Sequence, residues 1–354
     1  MKILTINPGS TSTKIAVYES TAPMLTVSIK HTPDELKQFT AIEEQFGFRR
    51  DLVLETLAKR NVPLEFNCIV ARGGLTKPIE GGVYEVNELM LHDLEHADHR
   101  HACNLGARIG SEIAKHVEGD CPVFIADPGV VDELIDVARI TGSPIMPQHP
   151  IWHALNQRAI ARRHAKENHS RYELLDLIVV HLGGGISVGA HRHGRCIDVN
   201  NALDGAGPFS PERAGTLPAG ALIDLCYSNK YTCAQLKKRI SGNAGIAAHL
   251  GTTDMIAIED SIAAGNKEAE LIVNSMIYQI AKEIGAKAVA LDGRIDAILL
   301  TGGLANSHYI VTRLRQRVDF LGPVYVYPGE DEMLALAQNG LAVLRGEIPV
   351  KQYV

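Results

Sequence analysis

Two stretches of this chain share one design, and that repetition limits its fold more than any other feature. Residues 2–18 run KILTI, NPGSTST, KIAVY: an apolar run, a turn of proline, glycine and hydroxyls, then a second apolar run. Residues 176–199, DLIVVHLGGGISVGAHRHGRCIDV, read as strand, glycine-rich turn, strand, short turn and strand. Apolar β runs joined by such short turns predict antiparallel hairpins. A third apolar strand, DAILLTGGLANS at 296–307, also ends in a double glycine, followed by polar residues and a helical pattern. Three strand-to-glycine turns spread along one chain suggest three loops converging on one ligand.

Residues 132–142, 153–168 and 266–291 carry apolar positions at helical spacing and predict helices. Strands mixed with helices throughout give an α/β class. The repeated opening points to a duplicated domain, each half starting with a hairpin. A length of 354 residues suits two domains at roughly 150 residues each. The proline-rich GSPIMPQHP at 142–150 sets the expected boundary: a first domain over 1–148 and a second over 149–340. The helical tail at 332–345 and the last residues, about 341–354, are expected to pack back onto the first.

With 45% apolar and 21% charged residues the chain has an ordinary globular composition. A net charge of -6 argues against a broad nucleic-acid surface or an anionic membrane partner, but leaves room for a local positive pocket. The six cysteines form no CxxC pair and read as reduced, mostly buried thiols. The N-terminal apolar run, broken by Asn7-Pro8-Gly9, reads as a strand start and not a signal peptide, and no stretch is long enough to span a membrane. A soluble, cytoplasmic protein is the expectation.

Gly9 flanked by Ser10, Thr11, Ser12 and Thr13, then Lys14, offers backbone N–H groups and hydroxyls to an anion; the same composition also makes a plain hairpin turn. Gly183, Gly184 and Gly185 weaken a strand end by roughly 0.5–1 kcal/mol each relative to alanine, so a packing or ligand reason is expected. They fit neither a Walker A motif nor a dinucleotide fingerprint. Arg72, before Gly73 and Gly74, and Arg213, in the loop DGAGPFSPERAGTLP, sit where a guanidinium can grip a carboxylate or phosphate in two-pronged fashion. Asp127 ends the apolar run of VFIADPGV, either as an active-site carboxylate or as a cap of the following turn. His92, His96, His99 and His101 cluster without the further ligands a metal site needs, and most read as surface residues. His153 heads a predicted helix and is placed to meet an anion.

Together these motifs resemble the acetate and butyrate kinase family, within the superfamily of acetate kinases, sugar kinases, heat-shock chaperones and actin. The likeness runs end to end through INPGSTSTK, VARGG, HACNLGA, FIADPGV, HALNQ, VVHLGGGISVGAH, DGAGPFSPERAGTLP, LLTGGLANS and EDEMLALA, and its details look closer to the butyrate branch. The resemblance implies two actin-like (ribonuclease H-like) domains with ATP in the cleft, and reversible phosphoryl transfer between ATP and a short carboxylate. By position it implies Mg²⁺ held or oriented by Asn7 and Glu332, the latter among three acidic neighbours. Ser10, Ser12 and Lys14 would lie in the first phosphate loop, and His181 with Gly183, Gly184 and Gly185 in the second. Gly302 and Gly303 match the adenosine loop. Arg72 and Arg213 would clamp carboxylate and phosphoryl group, His153 and His101 would stabilise the transferring group, and Asp127 would orient the arginines.

A carboxylate is already a nucleophile, so such an enzyme needs positioning and charge stabilisation more than a base. Asn7 stands where many superfamily members carry aspartate. The direct Arg72-Gly73-Gly74 junction replaces a bulkier acetate-kinase run and is expected to enlarge the acyl pocket, a preference of about 0.8 kcal/mol per CH₂. Trp152 stands where phenylalanine is usual, and Asp254 keeps half of an Asp-x-Arg adenosine contact. A sugar kinase would need a general-base aspartate, for which Asp127 is the candidate, and a chaperone-like switch would need a long peptide-binding region. The family leads us to expect a homodimer or a multiple of dimers.

Overall fold

The opening hairpin forms around the Asn-Pro-Gly turn. In the computed structural model, which describes all residues Met1–Val354, β1 (Lys2–Pro8) pairs antiparallel with β2 (Ser12–Glu19), setting Asn7 opposite Lys14. Next, β3 (Ala22–Lys30) extends this meander, and β4 (Cys68–Arg72) joins β1 in parallel. A short β5 (Val83–Glu85) and β6 (Val123–Ala126) follow. With the two-residue strand Val350–Lys351 at its edge, the sheet runs Val350–Lys351, β5, β6, β4, β1, β2, β3. Helices α1 (Phe46–Lys59) and α2 (Leu105–Ala114) and the C-terminal helix Glu332–Leu344 accompany it.

The second sheet repeats the plan. An antiparallel meander of β7 (Asp176–Leu182), β8 (Ile186–Arg192) and β9 (Arg195–Val199) is extended in parallel by β10 (Ala297–Gly302) and β11 (Val324–Pro328), in the order β11, β10, β7, β8, β9. Strand β10 is buried at every position, as expected where helices cover both faces. Helix α3 (Ala154–Glu167) precedes β7, and the 24-residue α4 (Lys267–Ala290) buries Val273, Met276, Ile280 and Ile284, one stripe at helical spacing.

The chain divides into two compact units: Met1–Val131 with Asp331–Val354, and Asp132–Glu330. Residues 142–150 lie inside the second unit, and all of helix Glu332–Leu344 belongs with the first.

One predicted helix, 132–142, shrinks to the single turn Asp136–Arg139. Ile135 and Ile140 on either side of it are extended, and Ile135 is held so by donating to the Ile197 carbonyl at 3.0 Å. No helix of the chain is long and apolar enough to cross a membrane.

Candidate active site

In the first unit, parallel strands β1, β4 and β6 end side by side, with Ile6 opposite Ala71 and Arg72 opposite Ala126. Asn7, Arg72 and Asp127 therefore sit at neighbouring carboxyl ends, where open α/β sheets bind ligands. Asn7 Nδ2 donates to Glu332 Oε2 at 2.6 Å, and Arg72 Nη1 reaches the same oxygen at 3.2 Å and Asn7 Oδ1 at 3.5 Å. Glu332 opens its helix, where the axial dipole favours a carboxylate, and Asp331 caps that helix by accepting from Leu334 N at 3.1 Å.

Asp127 is buried with φ +40°, a left-handed conformation uncommon for a residue with a side chain. Two hydrogen bonds to Gly82 hold it there, through its backbone N–H at 3.0 Å and through Oδ1, which accepts from Gly82 N at 2.8 Å. Strain of this kind clusters at functional sites.

His101 caps the short helix Ala102–Asn104. Its Nδ1 accepts from Cys103 N at 3.2 Å, so the neutral ring carries its proton on Nε2. Burial pushes the Cys103 thiol up to about 11, with Arg72 pulling it down and Glu332 pushing it up, which sets His101 beside the same charges.

The first hydroxyl-rich turn closes through Gly9 N to Ser12 O at 2.7 Å, leaving Ser10 and Lys14 exposed and Ser12 half-buried. Its organiser was not visible in the sequence. Arg49 of α1, wholly buried, donates to the carbonyls of Gly9 (2.9 Å), Ser10 (3.3 Å) and Ser12 (3.3 Å) and to Thr13 Oγ1 (3.1 Å). Arg49 thus satisfies three carbonyls of the turn from one buried guanidinium. A lone arginine on a helix reads as a solvated charge, so no sequence signal marked it.

In the second unit, parallel strands β7, β10 and β11 also end together. The turn at Gly183, Gly184 and Gly185 follows His181, whose Nδ1 lies 2.8 Å from Asn156 Oδ1 and whose Nε2 lies 3.1 Å from Glu330 Oε1. Arg213 reaches this turn directly: a Cβ on Gly185 would collide with its guanidinium, and its loop is fastened by Ser210 Oγ donating to Gly184 O at 2.6 Å. Gly302 ends β10 with φ +92° and packs on the Leu182 carbonyl, where no Cβ fits; Gly303 follows it.

His153 stands at the head of α3, stacked on His181 with ring centroids 3.7 Å apart and planes 9° from parallel. Asp254 acts as the N-cap of helix Met255–Ala263, accepting from Ile256 N at 3.1 Å and Ala257 N at 3.2 Å. A Cβ on Gly73 would strike Pro128, and one on Gly74 would strike Leu94 and Asn104, so the pair allows close packing there. His92 and His96 stack on each other at 4.3 Å, and no three His, Cys, Asp or Glu side chains are grouped to hold a metal.

Residues 152–340 match the model of the acetokinase family. Over their full lengths, the chain is 62% identical to a probable butyrate kinase of Bacteroides thetaiotaomicron, with 100% of each covered. It is 48% identical to butyrate kinase 1 of Clostridium acetobutylicum, with 99% of each covered. Among solved structures it superposes on a propionate kinase from Francisella tularensis with a TM-score of 0.79 at 16% identity, covering 96% of this chain and 98% of that one. An acetate kinase from Porphyromonas gingivalis gives 0.76 at 19%, covering 97% and 99%. These two share its fold: the actin-like arrangement of meander plus parallel strands, occurring twice. The glycine turns, the arginines beside them and the full-length likeness lead to one conclusion: the chain belongs to the acetokinase family.

Proposed function

We propose that the chain is a butyrate kinase, transferring the γ-phosphoryl group of ATP reversibly to a short-chain carboxylate to give the acyl phosphate and ADP. The observation that carries this reading is the full-length likeness to relatives named butyrate kinase. A carboxylate oxygen attacks the γ-phosphorus in line, and the bond to the bridging oxygen of ADP breaks with its electron pair leaving on ADP. No proton needs to move, so an amide at Asn7 in place of a carboxylate suits the reaction.

The obstacle is repulsion between two anions. Arg72 and Arg213 offset it as paired donors to carboxylate and phosphoryl oxygens. His153 and His101 donate to the transferring group, and Asp127 orients the arginines. The nucleotide phosphates meet Ser10, Ser12 and Lys14 on one turn, and His181, Gly183, Gly184 and Gly185 on the other. Gly302, Gly303 and Asp254 serve the adenosine. The Glu332 carboxylate and the Asn7 amide oxygen are hard donors, held side by side by the 2.6 Å hydrogen bond from Asn7 Nδ2 to Glu332 Oε2, and suit Mg²⁺, which binds through few protein ligands and substrate phosphates. Mg²⁺ bound there would neutralise phosphate charge. The same reading makes the protein cytoplasmic and a dimer or multiple of dimers.

The test is ATP-dependent acyl hydroxamate formation with acetate, propionate, butyrate, isobutyrate and valerate. Butyrate or a close neighbour should lead, and no hydroxamate from any acid would sink the proposal. Arg72→Ala and Arg213→Ala should each lower kcat by about 10²-fold or more, the scale of losing one oriented donor to developing charge, while ATP still binds. Near-normal turnover in either variant removes that arginine from the clamp.

A further inference from the structure

Behind His153 lies a continuous run of polar side chains, Tyr172, His191, Gln157 and Ser187, each 3% exposed or less. The direction of its hydrogen bonds follows from one fixed point. A backbone carbonyl only accepts, so the 3.1 Å contact from Gln157 Nε2 to the Ser187 carbonyl oxygen sets which way the amide faces. The second N–H of that amide reaches Ser187 Oγ at 2.7 Å, and Oε1 is turned to His191 Nε2 at 2.8 Å. His191 then carries its proton on Nε2, leaving Nδ1 to accept from the Tyr172 hydroxyl at 2.6 Å. Burial, reinforced by Arg158, pushes the His191 imidazole down to about 3, which keeps it neutral and in this one tautomer.

Ser187 Oγ receives two donors, the Gln157 amide and, at 3.4 Å, the backbone N–H of His153. Its single proton turns to His153 Nδ1, 2.9 Å away. The opposite arrangement, with Nδ1–H donating to Oγ, would leave a fully buried hydroxyl proton unsatisfied. His153 lies flat on His181, which faces Glu330 at 3.1 Å. Gly189 marks the same run from below: a Cβ there would meet Gln157 Oε1, His191 Nε2 and Cys196 Sγ at 2.6, 2.8 and 3.0 Å. The last glycine of HLGGGISVG thus leaves room for this network, apart from any phosphate contact.

We propose that Ser187, Gln157, His191 and Tyr172 are positioning residues that fix His153 as a neutral imidazole with its proton on Nε2, the form in which it donates a hydrogen bond to a phosphoryl oxygen. The proposal rests on the role given to His153 above. It makes His153 an oriented neutral donor whose action does not depend on carrying a charge.

Long-range proton–nitrogen correlation spectra of the full chain, labelled at histidine, report which ring nitrogen is protonated; His153→Gln assigns the signal. Wild-type protein should show a protonated Nε2 and a bare Nδ1 at neutral pH. Ser187→Ala, which removes one oxygen from a buried site, should release that lock. The tautomers then mix, and kcat falls about 10²-fold with KM for ATP little changed. Gln157→Glu should reverse the run: the carboxylate accepts from the Ser187 hydroxyl, whose oxygen then accepts from His153, and the proton moves to Nδ1. A wild-type ring protonated at Nδ1, or a Ser187→Ala protein whose tautomer matches wild type, overturns the proposal. If the spectra change as expected while His153→Gln keeps wild-type turnover, the lock stands and the catalytic role of His153 falls.

Discussion

Arg49 brings a guanidinium into a fully buried place to satisfy carbonyls of the first turn, and desolvation pulls it down to about 10, still charged at neutral pH. Next to it His31, also buried, touches Thr13 Oγ1 through Nε2 at 2.9 Å, while no hydrogen-bond partner faces Nδ1. Burial, with Arg49 adding to it, pushes the His31 imidazole from 6.5 down to about 4. The unfolded ring takes up a proton near 6.5 and the folded one only near 4, so between these values the unfolded state binds more protons. Stability is therefore level above about 6.5 and is lost as pH falls from there toward 4, by on the order of 2–3 kcal/mol from this one group. Urea unfolding at pH 7 and pH 4.5 should show a loss that is smaller in His31→Gln than in wild type, and equal losses would remove His31 as the cause. Neither residue was legible in the sequence, because the partners of Arg49 lie up to 40 positions away and those of His31 up to 18. The turn they support was legible, since its glycine, proline and hydroxyls are consecutive.

The C-terminal helix Glu332–Leu344 shows how an element approaches a sheet. Gly340 faces β4 so closely that a Cβ would lie 2.6 Å from Val70 Cγ2 and 3.1 Å from Cys68 Sγ. Alanine favours a helix over glycine by up to about 1 kcal/mol, but overpacking a rigid core costs about 1–3 kcal/mol, so crowding wins. Gly340→Ala should destabilise the protein in urea. Gly285, within α4, has nothing within 4 Å of its would-be Cβ, and Gly285→Ala should stabilise by about 0.5–1 kcal/mol. Stabilisation by both substitutions would show that propensity, and not contact, decides. Long apolar stripes such as α4 were legible by period alone. Residues 132–142 had the stripe but not the helix, because Ile135 and Ile140 are extended and Ile135 bonds to β9, a contact that periodicity does not register.

At the scale of the whole molecule, the duplication was visible in the two glycine-bearing hairpins, and the two sheets bear it out, each a three-stranded meander extended by parallel strands. The return of residues 331–354 to the first unit depends on packing between distant parts of the chain. This interleaving has a consequence for folding. The second unit is one continuous segment, Asp132–Glu330, with its own core that includes Ile178, Val180, Val188, Met276, Ile280 and Leu300. The first unit is not continuous: helix Glu332–Leu344 packs on β1 and β4 and buries Leu336, Ala337 and Leu341. Removing it would bare apolar faces of two central strands, and exposed apolar surface of that kind drives aggregation. A fragment of residues 132–330 should therefore express as a folded protein with one cooperative urea transition, whereas a chain ending at residue 330 should aggregate or keep only the transition of the second unit. Two intact transitions in the shortened chain would mean that the first unit holds its fold without the returning helix.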